Sequence, residues 1–138
     1  MIQFHMADLT YKLSDKVGIK KWLMEAISEE NYKTGDINII LCSDNYLLDI
    51  NRKFLQHDFF TDIITFDYSE GTILHGELYI SIERVEENAH FFNTTISNEL
   101  LRVFIHGVLH LVGYKDKSIE EEKMMRVKET YYLNKYFN

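Results

Sequence analysis

Proline is absent from this 138-residue chain, and cysteine occurs once, at Cys42. A single cysteine excludes an internal disulfide framework and a thiolate zinc cluster, so no disulfide partner is expected. Glycine is scarce, at six residues. Gly and Ser never gather into a linker, and no repeat of fixed period or low-complexity tract is visible, which predicts one domain over residues 1–138. Basic residues are in deficit: 15 Lys+Arg against 22 Asp+Glu give a formal charge of −7. That excludes a broadly basic nucleic-acid coat and confines any RNA or DNA contact to a local basic patch on an acidic body. Long apolar runs are also missing. The most apolar stretch, Leu100–Val112, is interrupted by Arg102, His106 and His110, and it falls short of the roughly 18 apolar residues that span a bilayer. Met1–Thr10 lacks the basic-then-apolar order of a secretory signal. A cytoplasmic protein with no membrane partner is expected.

With no proline, Gly, Asn, Asp and Ser are the only punctuation. Ile2–His5 alternates as a short strand, and Ser14 or Asp15 caps a helix running to about Asn31 with Val17, Trp22, Leu23, Ala26 and Ile27 on its apolar side. Ile37–Cys42 reads as a strand covered on both faces. Ser43 or Asp44 opens a helix carrying Leu47, Leu48, Asn51, Phe54 and Leu55. Ile63–Tyr68 and Glu77–Ile82 are strand-like and joined through a Glu70–Gly71 turn. Three helical stretches follow, Ile82–Phe92, Ile96–Val112 and Ile119–Tyr132, the last opened by the capping box Ser118-x-x-Glu121. Early strands and late helices predict an α+β fold: a small mixed sheet with about five helices.

The chemistry lies in His106-Gly107-Val108-Leu109-His110-Leu111-Val112-Gly113-Tyr114-Lys115-Asp116. Histidines four apart project from one helical face, near enough to bind a single metal ion. The spacing alone is weak, since six histidines give such a pair by chance in roughly one chain of this composition in four. The surroundings add weight. This helix is apolar on nearly all sides, and Arg102, His106 and His110 fall at successive intervals of four on one stripe. Buried polar groups there need partners, at a cost of about 1–3 kcal/mol for each one unsatisfied. Two core histidines bonded to carbonyls meet that need as well as a metal does. Gly113, three residues on, suits a left-handed helix end, after which Asp116 can return to the open side of the metal. The order His-x3-His-x2-Gly-x2-Asp is that of a metzincin zinc site in which Gly107 stands where the peptidases carry their general-base Glu. Three protein ligands with an open position make a catalytic site for one divalent ion, zinc by its donors, with His106, His110 and Asp116 as ligands.

His106-Gly107-x-Leu109-His110-Leu111-x-Gly113-Tyr114 resembles the metal-binding signature of the YbeY-type rRNA maturation factors, which are single-strand-specific, metal-dependent endoribonucleases of bacteria. Asp58-x-x-Thr61-Asp62-Ile63-Ile64-Thr65-Phe66 is similar to the family's K-D-x-P-T-D-V-L-S-F segment, and Gly76-Glu77-Leu78-Tyr79-Ile80-Ser81 resembles its G-D-I-x-I-S step. Three departures stand out. Asp116 replaces the family's third histidine. Leu55 and His57 occupy its arginine and lysine positions, with Arg52 almost one helical turn earlier as a substitute charge. Phe60 takes the place of its proline.

The resemblance implies phosphodiester cleavage in maturation of small-subunit rRNA, including 3′-end processing, and in ribosome quality control, with single-stranded RNA and the small ribosomal subunit as partners. Asp58 and Asp62 are candidate bases, and Arg102 is a candidate for stabilising phosphate charge, unless it pairs with Glu99 or Asp62. Lys115, Lys117, Lys123 and Arg126, beside Tyr114, form a candidate basic lip. Two other readings are a small zinc peptidase, weakened by Gly107, and a non-catalytic ribosome-assembly module in which metal only stiffens the helix-to-loop turn.

Overall fold

The computed structural model describes residues 1–138. Its elements in chain order are β1 (Ile2–Met6), α1 (Lys16–Glu29), β2 (Lys33–Cys42), α2 (Asp44–Leu55), β3 (Ile63–Asp67), β4 (Ile73–Ser81), α3 (Ile82–Phe91), α4 (Ile96–Val112) and α5 (Ile119–Phe137). The strands form one mixed sheet in the order β1-β2-β4-β3, with β1, β2 and β4 parallel and β3 antiparallel to β4 at the edge. Parallel neighbours need a long crossover, and α1 supplies it between β1 and β2. The expected α+β fold with five helices is what the chain adopts.

Strand alternation separates two layers. Ile37, Ile39 and Leu41 on β2, with Leu74, Leu78 and Ile80 on β4, have no exposed surface and meet α1, α4 and α5 in the main core. The opposite face packs Cys42, Ile64 and Phe66 against Leu47 and Ile50 of α2. Because α2 lies over β3 and β4, Asn38 and Ile40 on the second face of β2 are only half-buried. The expectation of full cover on both faces of that strand is corrected accordingly. One helix face is also corrected. Val17 is 82% exposed, since the core stripe of α1 follows Ile19, Trp22, Leu23, Ala26 and Ile27. Phe54 and Leu55 lie outside the core, with Phe54 resting edge-on against Phe66.

The caps follow the sequence. Asp15 accepts the N–H of Gly18, Ser43 that of Tyr46, and Ser118 forms the capping box with Glu121. Strand β4 begins at Ile73, earlier than expected, because Lys33 and Thr34 of β2 pair with its first residues. Helix α5 continues to Phe137.

Helix α4 sets the position of the site. Ten of its residues are buried, and it lies nearest the sheet at Gly107, where an added Cβ would stand 2.8 Å from Ile63 Cδ1 and 3.0 Å from Leu78 Cδ1. Position 107 therefore faces β3 and β4, with no room for a glutamate. The helix ends at Gly113 in the left-handed region, φ 119°, and the N–H groups of Gly113 and Tyr114 both return to Leu109 O. No helix is long and apolar enough to cross a membrane.

Candidate metal centre and its cleft

Successive turns of α4 bring His106 and His110 together, and the reversal at Gly113 brings Asp116 back to them. The two Nε2 atoms stand 3.0 Å apart, and Asp116 Oδ2 lies 3.3 Å from each. A tetrahedral ion with bonds of about 2.0–2.1 Å requires donor separations of about 3.3–3.4 Å. The triangle fits, and these three residues are placed to hold a metal ion.

The far sides of the rings explain which atoms are free. His106 Nδ1 donates to Glu129 Oε2 at 2.6 Å, and His110 Nδ1 donates to the carbonyl of Tyr114 at 2.9 Å. Both acceptors lack a proton of their own, so each ring holds its hydrogen at Nδ1 and turns the Nε2 lone pair inward. Three acceptors then converge on one point, an arrangement that a cation satisfies and that is repulsive otherwise.

Glu129 is the functional residue that sequence reasoning missed. It is buried on α5 and also accepts from Arg102 Nη1 at 3.0 Å. Burial pushes its carboxyl upward, but the His106 hydrogen bond and the Arg102 charge outweigh that and hold it below the ordinary glutamate range. Arg102 makes a two-pronged pair with buried Glu99, Nε–Oε1 3.0 Å and Nη2–Oε2 2.5 Å, and lies 3.9 Å from Asp62. Its guanidinium is thus engaged by carboxylates behind His106. Of the pairings foreseen for it, Glu99 is close and Asp62 longer, while Glu129 was unforeseen. Glu99, Glu129, Asp62 and Asp116 set four carboxylates against this one guanidinium around the two imidazoles, a balance that favours a cation at the converging atoms.

The triangle opens into a cleft of about 600 Å3 whose walls include Leu55, His57, Phe59, Asp62, Asp67 and Lys117. Burial raises the Asp62 carboxyl above its usual value, against the pull of Arg102 and His106. Asp58 is exposed and held by Arg52 Nε at 2.5 Å. Asp58 does not line the cleft, and this pairing compensates the charge that Arg52 offered as a substitute. Of the basic lip only Lys117 reaches the cleft. Tyr114 turns away: its hydroxyl donates to Glu30 at 2.7 Å, and Lys128 Nζ sits 5.6 Å from its ring centre. Cys42 is buried, which pushes its thiol up to about 12 and leaves no thiolate nucleophile.

Comparison with known proteins adds an independent line. The family described as Endoribonuclease YbeY matches residues 3–137. Proteins named endoribonuclease YbeY include one from Flavobacterium psychrophilum, 50% identical over 129 residues, covering 94% of this chain and 91% of that protein. Another, from Cytophaga hutchinsonii, is 49% identical over 130 residues, covering 93% and 90%. A solution structure of a Thermotoga maritima protein matches with a TM-score of 0.68 at 33% identity, covering 99% of this chain and 89% of that one.

Proposed function

The chain belongs to the endoribonuclease YbeY family, and from that membership we propose that it cleaves single-stranded RNA with a bound zinc ion. Its task is maturation of small-subunit rRNA, including 3′-end processing, and ribosome quality control, in the cytoplasm and in contact with the small subunit. Residues 1–138 act as one hydrolase domain. The observation that carries this reading is the convergence of His106 Nε2, His110 Nε2 and Asp116 Oδ2 at 3.0–3.3 Å in the floor of an open cleft. Two nitrogens and one carboxylate oxygen suit zinc and leave a coordination position open to the cleft. When bound, such an ion acidifies a water and polarises a phosphoryl oxygen.

The protein's own groups divide the remaining work. Glu129 and the Tyr114 carbonyl hold the two imidazoles in the tautomer that binds. Arg102 keeps Glu129 charged and in place, so its contribution is to position His106 and not to grip phosphate. Asp62, in the cleft wall with a raised carboxyl, holds or moves the proton during cleavage. Peptide hydrolysis by the metzincin route is disfavoured, because position 107 points into the sheet.

Metal analysis and cleavage of a single-stranded oligoribonucleotide test the reading together. His106→Ala, His110→Ala and Asp116→Ala should each lose zinc and activity. Asp62→Asn should keep zinc and lose about 100- to 10,000-fold in kcat. Full activity in the three alanine variants, or cleavage of unstructured protein in preference to RNA, would overturn it.

A further inference from the structure

The segment from residue 56 to residue 62, between α2 and β3, carries His57 and Phe60, two of the departures from the family pattern, and its side chains are sorted by anchors. Gln56 closes α2 in the left-handed region, φ 56°, with its N–H on Asn51 O. The side chain of buried Asn51 then reaches forward, its Nδ2 donating to the carbonyl of Phe59 at 2.9 Å. Phe60 is drawn to one side, where Arg84 Cζ lies 5.1 Å from its ring centre, and Ser81 N–H holds the carbonyl of Asp62 at 2.9 Å. With its own carbonyl, the Phe60 ring and the Asp62 carbonyl held in this way, Phe59 faces the cleft.

There it lies on His57. The ring centres are 5.1 Å apart and the planes 21° from parallel, and both side chains line the cleft that holds the metal triangle. Phe59 is nonetheless 56% exposed, so one broad aromatic face meets solvent. Around it the cleft is poor in cations, with Asp62, Asp67 and Asp116 against Lys117. Charge on the walls gives little attraction to a polyanion, so substrate affinity must draw on another source. A flat aromatic face supplies it, since every unpaired base has a π-face to stack.

We propose that His57 and Phe59 form a stacking platform for an unpaired nucleobase of the RNA whose backbone lies at the metal. The platform rests on the endoribonuclease reading and deepens it. It gives a physical reason for single-strand preference, because a base within a duplex has both faces covered by its neighbours. Lost stacking on Phe59→Ala corresponds to about 5- to 150-fold in affinity.

The experiment compares steady-state cleavage of a single-stranded oligoribonucleotide by the zinc-loaded full chain, Phe59→Ala, Phe59→Leu and Phe59→Trp. Phe91→Ala, on the exposed surface of α3, is the control. Both Phe59→Ala and Phe59→Leu should raise KM by about 5- to 150-fold with kcat unchanged, the mark of a lost uniform binding contact. Phe59→Trp should keep the parental KM, and its added fluorescence should be quenched on mixing with the RNA. Phe91→Ala should match the parent. Parental KM in Phe59→Ala, or a fall in kcat with KM unchanged, overturns the platform and leaves the endoribonuclease assignment standing. Quenching in Phe59→Trp beside a parent that cuts no RNA overturns the endoribonuclease assignment instead and keeps the platform.

Discussion

His106 and Phe59 line the same cleft, yet one is held at Nδ1 by Glu129 and largely buried while the other stands more than half exposed beside a single stacking partner. The wall formed by α4 and α5 is a buried polar network: His106 to Glu129, Glu129 to Arg102, Arg102 to Glu99. Taking these charges out of water is costly, and the network repays it only through close geometry at every contact. Such a wall fixes atoms to within fractions of an ångström, as a metal site requires. The facing wall, between α2 and β3, is fixed in its backbone by Asn51 and Ser81, and Phe59 presents its ring from it with only His57 beneath. It suits a partner of variable sequence, because stacking tolerates any base. The first wall holds the metal, and the facing wall receives substrate while presenting Asp62 at its edge.

On the metal-holding wall, Glu129→Ala breaks this division. Removing the carboxylate behind His106 frees the ring to rotate and to change tautomer. Losses of about 10- to 100-fold in zinc affinity follow when such outer partners are removed. RNA affinity measured with zinc saturating should hardly change, since Glu129 lies away from the facing wall. Zinc titration with a competing chelator gives the first quantity and fluorescence anisotropy the second. Equal losses in both would show that the two walls are not independent.

Asp116→His alters the charge of the first wall without dismantling it. A site of three imidazoles carries one more positive charge than two imidazoles and a carboxylate, so solvent activated there is more acidic. Zinc content should be retained, and the lower limb of the kcat/KM profile should move to lower pH. An unmoved limb at equal zinc content would remove Asp116 from the ligand set.

These experiments also mark what was legible in the sequence. His106, His110 and Asp116 were legible through spacing only together with the apolar helix around the two histidines and the left-handed turn at Gly113 that the return of Asp116 needs. The requirement for partners along the α4 stripe was equally legible, but their identity was not, because Glu129 is 23 residues beyond His106 and only the packing of α5 on α4 joins them. A signal did exist: Glu129 shares the buried side of α5 with Met125 and Tyr132, and a carboxylate on a buried stripe demands a cation or a hydrogen-bond donor. Val17 was misjudged for a different reason. Apolar character permits burial without enforcing it, and folded surfaces retain many apolar atoms. The roles of Phe59 and Phe60 were hidden as well, since adjacent identical residues are told apart only by Asn51 and Arg84.

The smallest effect tests how far the rigidity of the first wall extends. Glu30, just past the end of α1, accepts from Tyr114 Oη at 2.7 Å, from Lys128 Nζ at 3.1 Å and from Tyr132 Oη. Tyr114 in turn offers its carbonyl to His110 Nδ1, so Glu30 steadies the loop that carries Asp116. Burial raises the Glu30 carboxyl, but its three donors outweigh burial and hold it below the ordinary value. A carboxyl depressed on folding contributes stability that is present above its unfolded pKa, about 4.3, and is lost as pH falls through the lower folded value. Glu30→Gln keeps an oxygen for the tyrosines and loses the charge beside Lys128. Its stability should therefore fall below the parental one at pH 7 by about 1 kcal/mol, a few degrees in Tm. The gap should close on acidification below about pH 4, where the parental carboxylate gains its proton. Thermal melts of the two proteins at pH 7, 5 and 3.5 give the comparison. A gap that widens towards low pH would mean that Glu30 is protonated in the folded protein, and the outer support of His110 would then rest on Tyr114 and the Gly113 turn alone.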